Sequence, residues 1–305
     1  MSRILLTGSN GLLGQNLISE ILQRTDMQLL ATSGSDNKFP VNGGYDFIRM
    51  DICNRQSVFK TIREFKPDII IHAAAMTQVD ACESNHKKCS EINIEGTRNV
   101  AQAAEQTGAW FQYISTDFIF NGRNGPYCET DDPDPVSYYG WSKLQGEKIT
   151  RSLSVPWSIV RTILVYGVVP SMSRSNLVLW VIESLKKKTP IRVVDDQYRM
   201  PTLVNDLAGG ILSIIDRKLQ GIYHLSGPDI HSVLELAQIT ARFFNLDDSL
   251  ISPVSSRTLN QIGSRPPSTG FVLEKAIAEL DYQPHDFKAG LKMVRRQLLR
   301  HKNIN

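Results

Sequence analysis

A tyrosine and a lysine four positions apart are the first candidates for chemistry in this sequence, within Tyr139-Gly140-Trp141-Ser142-Lys143. On a helix, residues with this spacing lie on one face, so the phenol and the ammonium would be neighbours. A nearby cation stabilises a phenolate and lowers a phenol pKa that is about 10 in isolation. The pair is therefore predicted to act as a general acid or base near neutral pH, where other elements place it in a site.

A glycine-rich turn near the N-terminus is the second candidate. Gly8 permits a tight turn, Gly11 lets the backbone approach a pyrophosphate, and Gly14 lets a helix and a strand pack closely. Unpaired N–H groups at the N-terminus of the following helix favour an anion at the same place. For the glycines alone, a plain strand-to-helix turn is the alternative. The predicted dinucleotide-binding turn comprises Gly8, Ser9, Asn10, Gly11, Leu12, Leu13 and Gly14.

A group of polar side chains at the end of the fifth predicted strand is the third candidate, and it comprises Ser115, Thr116 and Asp117. Ligands of parallel sheets bind at the carboxyl edge, where these residues would lie. Thr116 is predicted to donate a hydrogen bond to a substrate carbonyl, and Ser115 is the competing hydroxyl. Capping of the strand end is the alternative role for either hydroxyl.

Short apolar runs alternate with amphipathic segments in the first half of the chain, and they predict the strands and helices that position these residues. Strands are predicted at 4–7, 28–32, 46–50, 69–72, 111–115 and 158–165. Helices are predicted at 12–24, 57–65, 89–106 and 137–151. The repeated strand–helix units predict an α/β fold with a doubly wound parallel sheet of the Rossmann type.

The pattern changes after Gly167, which indicates a second, smaller unit. Its predicted elements begin with a polar stretch at 170–175, a helix that ends at 188 and a strand at 191–194. Two further helices are predicted at 233–244 and 287–299. A helix at 204–216 and a strand at 222–225 return to the first pattern. We therefore predict a dinucleotide-binding domain at 1–167 plus about 204–226, and a partly interleaved C-terminal substrate lobe at about 168–203 and 227–305.

The composition excludes several classes of protein. With 41% hydrophobic and 21% charged residues and a net charge of +3, the chain is neither disordered nor fibrous. The basic run 186–188 is interpreted as a helix end, so nucleic acid is not expected as a partner. No apolar stretch is long enough for a signal peptide or a membrane span, so no membrane partner is expected.

The cysteines Cys53, Cys82, Cys89 and Cys128 lack paired or C-x-x-C spacing. This arrangement is typical of the reducing cytoplasm, where we expect the protein to be located. Cys82, His86 and Cys89 would make a poor zinc site, because three groups on one polar helix lack a fourth ligand. No metal site is therefore predicted.

The G-x-x-G-x-x-G spacing, together with Tyr139 and Lys143, resembles the extended short-chain dehydrogenases/reductases. The resemblance implies a nicotinamide cofactor in a Rossmann fold, with Lys143 also holding the nicotinamide ribose. It assigns catalysis to Thr116, Tyr139 and Lys143. Residues 50–52 resemble the segment that contacts adenine, and residues 72–75 resemble the turn after the fourth strand. The implied cofactor residues outside the glycine turn are Ser33, Asp51, Ile52, Ala73, Ala74, Ala75, Tyr139 and Lys143.

The end of the second strand bears on the choice of cofactor. The sequence A-T-S-G-S at 31–35 lacks a carboxylate directly after the strand, where one would bind the ribose 2′-hydroxyl and repel a 2′-phosphate. Asp36 weakens this argument and Lys38 strengthens it. We therefore expect NADP(H) to be favoured, with NAD(H) as the alternative.

Within the extended group, the chain resembles the dTDP-4-dehydrorhamnose reductases over essentially its whole length. The segments that carry the resemblance are 115–122, 139–147, Asp196-Gln197 followed by Pro201-Thr202, and Arg265-Pro266. The resemblance implies a nucleotide-sugar substrate, a deoxy-4-ketohexose whose C4 ketone is reduced to give dTDP-L-rhamnose. Hydride would come from the nicotinamide, and Tyr139 would supply the proton.

Arg265 is predicted to bind the substrate pyrophosphate, because a guanidinium matches phosphate oxygens with two parallel hydrogen bonds. A surface arginine in a proline turn is the alternative. The chain departs from the family after Pro266, where P-S-T-G-F at 267–271 replaces an Asn-Ser-Arg-Leu type of sequence, so the substrate contacts are in doubt there. Phe118 stands where related dehydratases have an acidic residue, which disfavours dehydration.

Two other functions stay open at this stage. One is a nucleotide-sugar epimerase, and the other is a non-catalytic, NAD(P)-binding regulatory subunit of the methionine adenosyltransferase type. The complete set of Thr116, Tyr139 and Lys143 favours an enzyme. The sequence leaves open the exact sugar and base, a homodimer, and a requirement for a divalent ion.

Overall fold

The structure is a computed structural model that describes residues 1–40, 43–171, 175–259 and 261–302. Its strands are β1 Ser2–Thr7, β2 Met27–Ser33, β3 Asp46–Arg49, β4 Ile69–His72, β5 Trp110–Thr116, β6 Trp157–Thr162, β7 Val165–Tyr166, β8 Ile191–Val194, β9 Tyr198–Arg199, β10 Thr202–Leu203, β11 Gly221–Leu225, β12 His231–Ser232, β13 Ile251–Val254 and β14 Ser268–Thr269. Its helices are α1 Leu12–Ile21, α2 Arg55–Phe65, α3 Val79–Ser84, α4 His86–Ser90, α5 Thr97–Thr107, α6 Tyr138–Arg151, α7 Leu177–Lys186, α8 Val204–Asp216, α9 Val233–Phe243, α10 Glu274–Leu280 and α11 Phe287–Lys302. Shorter turns are a π-helix at Glu91–Gly96 and 3₁₀ helices at Asp117–Ile119, Asp248–Leu250 and Ser256–Leu259.

Within the described residues, seven strands form one parallel sheet in the order β11, β6, β5, β4, β1, β2, β3. The chain runs outward from β1 to β3 on one side and from β4 to β6 on the other. The predicted doubly wound parallel sheet is therefore confirmed. Because the strand order reverses between β1 and β4, the carboxyl ends of these strands diverge into a crevice, which is where such sheets bind ligands.

Helices cover both faces of this sheet. On one face, Leu17 and Ile18 of α1 belong to the same buried cluster as Leu207 of α8. On the other face, Val58 of α2 and Val100 of α5 belong to a second buried cluster. Burial on both faces explains why β4 reads as a continuous apolar run and not as an alternating one.

The predicted strand 158–165 is interrupted in the structure. Strand β6 ends at Thr162, and β7 pairs with β10 outside the central sheet. Leu164 lies between them with a φ of 38°, in the left-handed region that an extended strand cannot adopt. The backbone therefore turns away from the sheet at this residue and enters the smaller lobe.

The predicted helix 89–106 begins earlier and is not uniform. It consists of α4, which Asn85 caps by accepting the Lys88 N–H, then the π-helical turn and α5. Within that turn the Asn93 side chain both accepts from the Met76 N–H, at 2.7 Å, and donates to the Met76 carbonyl, at 3.0 Å. Helices α3 and α10, of six and seven residues, were not predicted, because so few residues show no clear periodicity.

The smaller lobe contains a parallel pair, β8 with β13, and a three-stranded sheet in the order β12, β9, β14. Helices α7, α9 and α11 share a buried cluster there. Strand β11 lies back in the central sheet beside β6, and its segment is the one assigned by sequence to the first domain. The domain boundaries themselves stay a prediction, and part of the predicted polar stretch, 172–174, lies outside the described residues.

Candidate functional site

A cleft of about 1060 Å³ opens at the carboxyl edge of the central sheet, over the reversal between β1 and β4. Its walls come from the first domain and from the smaller lobe. The turn after β1, the ends of β2, β4 and β5, and the start of α6 form one side. Gln197, Arg199, Gln261 and Arg265 contribute from the lobe. A cavity of this size and origin suits a dinucleotide together with a second ligand.

The glycine turn lies at the floor of the cleft. Gly8 has a φ of 73°, and a Cβ at Gly14 would lie 2.7 Å from the Ser9 Cα, so both positions require glycine. Gly11 precedes α1 without any side-chain cap, which leaves the first N–H groups of that helix available to an anion. Of the seven residues predicted for this turn, only Ser9 does not line the cleft; its side chain is fully buried.

Asn10 organises the loop that follows β2. Its amide donates to the Ser33 hydroxyl at 3.1 Å and to the Ser35 hydroxyl at 3.0 Å, and its carbonyl oxygen accepts from the Lys38 N–H at 2.9 Å. Ser33, Ser35 and Lys38 all line the cleft. The Asn10 side chain therefore holds in place the loop whose hydroxyls and ammonium could meet the adenosine end of a cofactor.

The remaining predicted cofactor residues lie along the same wall. Asp51 and Ile52 line the cleft after β3, and the Asp51 carboxylate accepts from the Cys53 N–H at 2.9 Å. Residues 73–75 line it after β4. His72 is buried below them, and burial lowers its pKa to about 3, so the ring is neutral and hydrogen-bonds Thr7 and Thr97. The wall is thus continuous from the glycine turn to α6.

Lys143 and Tyr139 lie on the inner face of α6, which Ser137 caps by accepting the Gly140 N–H. Both side chains line the cleft and are more than nine-tenths buried. The Lys143 ammonium donates to the Ile114 carbonyl at 2.6 Å and lies 4.1 Å from the centre of the Tyr113 ring. Burial lowers its pKa to about 7, although the carboxylate of Glu147 opposes that shift.

The pKa of Tyr139 differs from the expectation that Lys143, four positions along the helix, would lower it. Burial raises the pKa of its phenol, and the negative charge of Asp117 raises it further, whereas a hydrogen bond with Thr116 opposes the shift. The Lys143 ammonium donates to the Ile114 carbonyl, and burial dominates the Tyr139 pKa, so its net shift is upward and not downward. The phenol is therefore neutral at physiological pH, which is the form that can give up a proton.

The three polar residues that end β5 have different partners. Ser115 donates to Glu147 at 2.6 Å, and Glu147 in turn pairs with the fully buried Arg161 at 2.8 Å. Thr116 donates to Asp117 at 3.0 Å. All three line the cleft, but in this structure both hydroxyl protons are directed to carboxylates and not to the cavity.

Arg265 lies at the mouth of the cleft and is already paired. Its guanidinium donates to both Asp80 oxygens, at 3.0 and 2.8 Å, and also to the Gly263 carbonyl. These hydrogen bonds hold the pKa of Asp80 below its usual range. The geometry is the two-pronged one expected for an anion, but the anion in this structure is a side chain of α3.

Arg199 and Thr269 were not identified as site residues from the sequence. Arg199 is buried and lines the cleft, and it donates to the carbonyls of Tyr198 and Pro266. Thr269 donates to Asp117. Each lies on a two-residue strand of the lobe, too short to show a pattern. The one available signal was the position of Arg199 between the quoted motifs at 196–197 and 201–202.

Within the described residues, no group of three or more His, Cys, Asp or Glu side chains is placed to hold a metal ion. No helix in the same residues is long and apolar enough to cross a membrane.

Comparisons with known proteins agree on one family. The model of the RmlD substrate binding domain matches residues 1–300. The dTDP-4-dehydrorhamnose reductase of Aggregatibacter actinomycetemcomitans is 29% identical, over 97% of this chain and 99% of that protein. Methionine adenosyltransferase 2 subunit beta of Rattus norvegicus is also 29% identical, over 87% of this chain and 78% of that protein.

A solved structure supports the same conclusion. The dTDP-4-dehydrorhamnose reductase of Bacillus anthracis, in complex with NADP, is 32% identical and superposes with a TM-score of 0.85, over 97% of this chain and 99% of that one. The chain belongs to the RmlD family of extended short-chain dehydrogenases/reductases, the dTDP-4-dehydrorhamnose reductase family.

Proposed function

We propose that the protein reduces the C4 ketone of a deoxy-4-ketohexose carried on a nucleoside diphosphate, as in the conversion of dTDP-4-dehydrorhamnose to dTDP-L-rhamnose. The observation that carries the proposal is that Thr116, Tyr139 and Lys143 are all buried and line the same cleft, with Lys143 one turn further along α6 than Tyr139. These groups lie where the cofactor wall meets the lobe that contributes Arg199 and Arg265. The names of the full-length relatives agree with this substrate class.

Each residue of the site has a separate role in the proposed reduction. When bound, the reduced nicotinamide supplies a hydride to the carbonyl carbon. Tyr139 gives its hydroxyl proton to the oxygen, where negative charge develops, and Thr116 orients that oxygen and the phenol. Lys143 places a cation beside the cofactor ribose, and the glycine turn with the N-terminus of α1 holds the pyrophosphate. Ser115 and Asp117 support the substrate end, and Arg265 is assigned to the substrate pyrophosphate.

The test is direct. Purified protein is incubated with NADPH and dTDP-4-dehydrorhamnose, and loss of the reduced nicotinamide absorbance is followed. Tyr139→Phe keeps the ring but has no proton to give, so we expect the rate to fall by about a hundredfold to ten-thousandfold, with the fold and cofactor affinity unchanged. A variant that kept about half of the parent rate would contradict the proton-donor assignment.

The same assay separates the two rival functions. An epimerase would interconvert sugars without net oxidation of added NADPH. A regulatory subunit would turn over no keto sugar, would bind a methionine adenosyltransferase tightly, and would be unaffected by Tyr139→Phe. The regulatory function stays a rival because several relatives are named methionine adenosyltransferase 2 subunit beta, but the cleft of this chain is lined by Thr116, Tyr139 and Lys143, the groups that a reductase needs.

For the cofactor we propose a modest preference for NADPH over NADH. The support is the group formed by Ser33, Ser35 and Lys38, which lines the cleft and presents two hydroxyls and a cation. Asp36, the carboxylate that weakened the argument, is exposed and lies 3.6 Å from Arg49. We expect Lys38→Ala to lower kcat/KM with NADPH more than with NADH. A parent enzyme with the higher kcat/KM for NADH would overturn the preference.

A protein that works on nucleotide sugars needs neither a membrane nor a nucleic acid, and we propose a cytoplasmic location for it. A homodimer is compatible with this function. Size-exclusion chromatography with light scattering measures the oligomeric state directly.

A further inference from the structure

Asn10 lies in the glycine turn, and its buried side chain contacts the loop that follows β2. Two backbone groups of that loop fix how the amide is turned. The Lys38 N–H can only donate, and it lies 2.9 Å from the Asn10 Oδ1. The Asp36 carbonyl can only accept, and it lies 2.8 Å from the Asn10 Nδ2. The opposite orientation of the amide would lose both hydrogen bonds, so the positions of its nitrogen and oxygen are settled.

This orientation sets the direction of two hydroxyl groups. The Asn10 Nδ2 also lies 3.1 Å from the Ser33 hydroxyl and 3.0 Å from the Ser35 hydroxyl, and an amide nitrogen can only donate. Both serine oxygens therefore accept from Asn10, and neither hydroxyl proton points to it. Among the described residues, neither hydroxyl has another hydrogen-bond partner. Because Ser33 and Ser35 line the cleft, both protons are available to a ligand there.

The charges of the same loop favour an anion at this place. Lys38 lines the cleft and brings a cation to it. The Asp36 side chain is 94% exposed, does not line the cleft, and lies 3.6 Å from the Arg49 guanidinium, which offsets its charge. The carboxylate of the loop is therefore turned away from the cleft, and the hydroxyl protons and the ammonium are presented to it.

This set of donors distinguishes a phosphate from a hydroxyl. A phosphate monoester offers only acceptor oxygens and carries a charge of about −1.5 to −2 near pH 7, so it can use both hydroxyl protons and the cation. A ribose 2′-hydroxyl carries its own proton and no charge, so it gains less from the same groups. The end of β2 is where the adenosine ribose lies in folds of this type.

We propose that Asn10 is a positioning residue that determines cofactor specificity: its amide directs the protons of Ser33 and Ser35 toward the cleft and makes the end of β2 selective for the 2′-phosphate of NADP(H). The inference rests on the proposed preference for NADPH and goes beyond it, because it assigns the preference to the orientation of one amide. Asn10 acts through the two hydroxyls, and the phosphate accepts their protons.

Dissociation constants of NADP⁺ and NAD⁺ test the inference without a sugar and without turnover. The two cofactors differ only in the 2′-phosphate, so the ratio of their dissociation constants, measured by isothermal titration calorimetry at one pH and ionic strength, reports selectivity for that group. In the parent we expect NADP⁺ to bind about fivefold more tightly than NAD⁺, or better.

Two substitutions of Asn10 change the donor pattern in graded steps. Leucine has nearly the same size but neither donates nor accepts, so Asn10→Leu leaves both hydroxyls free to turn, and the preference for NADP⁺ should fall to about twofold or less. In Asn10→Asp the carboxylate only accepts, so Ser33 and Ser35 would turn their protons inward to it, and NAD⁺ should become the better ligand. Asn10→Ala replaces Asn10→Leu if that variant does not fold.

Asn37→Ala is the matched control. Asn37 is an exposed asparagine of the same loop that does not line the cleft. It accepts from the Phe39 N–H at 3.2 Å and donates to the Tyr45 hydroxyl at 2.7 Å. Loosening of the loop weakens both cofactors alike, so Asn37→Ala should leave the ratio at the parent value.

The two serines show whether Asn10 acts through them. A variant with both Ser33→Ala and Ser35→Ala should lose the preference as Asn10→Leu does. Adding Asn10→Leu to that variant should then change the ratio by less than about twofold, because residues that act through one another are not additive.

The inference is overturned if the parent binds NADP⁺ and NAD⁺ equally, or if a folded Asn10→Leu or Asn10→Ala keeps the parent ratio. An equal loss of the ratio in Asn37→Ala would overturn it as well, since the cause would then be loosening of the loop. The expected ratios in a protein that reduces no keto sugar would support the inference and would count against the proposed reduction.

Discussion

The charge of Lys143 depends on its surroundings near neutral pH. Burial lowers its pKa to about 7, so the ammonium is present below that pH and is lost above it in the unliganded cleft. An anionic cofactor favours the charged form, so binding should raise this pKa and take up a proton. We therefore expect cofactor affinity to fall as pH rises through and above about 7.

The measurement is the dissociation constant of NADPH across that range, followed by quenching of protein fluorescence. Lys143→Met keeps much of the side-chain length without the charge. It should bind NADPH more weakly and with little dependence on pH over the same interval. A parallel pH dependence in Lys143→Met would assign the proton uptake to another group.

At the scale of single elements, helix α1 packs closely against the glycine turn at Gly14, and a substitution there tests that contact. An alanine Cβ at Gly14 would lie 2.7 Å from the Ser9 Cα, in a backbone contact that cannot move without shifting the helix. We expect Gly14→Ala to destabilise the protein by about 1–3 kcal/mol and to weaken cofactor binding. Urea denaturation and a NADPH titration measure the two effects.

Gly209 provides the matched control for that substitution. It lies exposed within α8, and nothing comes within 4 Å of a Cβ built there. Alanine has the higher helix propensity, so Gly209→Ala should raise the free energy of unfolding by up to about 1 kcal/mol and leave cofactor affinity unchanged. A loss of stability in Gly209→Ala similar to that in Gly14→Ala would show that the contact at Gly14 is not the cause.

At the scale of the whole molecule, Arg265 joins the two sides of the cleft through its ion pair with Asp80 on α3. Asp80 is partly exposed, so the pair itself should contribute at most about 1 kcal/mol to stability. A substrate diphosphate can take the same two N–H groups. We expect Arg265→Ala to raise the KM for the nucleotide sugar about tenfold or more and to leave NADPH affinity almost unchanged.

Arg257 is the control for Arg265, since it is an exposed arginine of the same lobe that does not line the cleft. Arg257→Ala should leave the KM unchanged. Steady-state kinetics with the sugar varied at saturating NADPH provides the comparison. Equal KM values for Arg265→Ala and the parent would remove Arg265 from the substrate site.

The sequence by itself determined the features that depend on neighbours along the chain. The strand–helix alternation gave the doubly wound sheet, because the 2.0 and 3.6 residue periods are local properties. The spacing of Gly8, Gly11 and Gly14 and the four-residue interval from Tyr139 to Lys143 are also local. The turn and the inner face of α6 follow from them. The resemblance to the extended short-chain dehydrogenases/reductases rested on the same segments.

Tertiary structure decided where the polar groups point. Arg265 meets Asp80 across 185 positions, and Thr269 meets Asp117 across 152. Ser115 donates to Glu147 because β5 packs under α6, which no spacing along β5 indicates. The pKa values of Tyr139 and Lys143 are set mainly by burial, in opposite directions, because burial penalises whichever form carries charge. Burial is a property of the packed molecule. The sequence could therefore identify Tyr139 as the acid, but it could not show that the phenol is neutral.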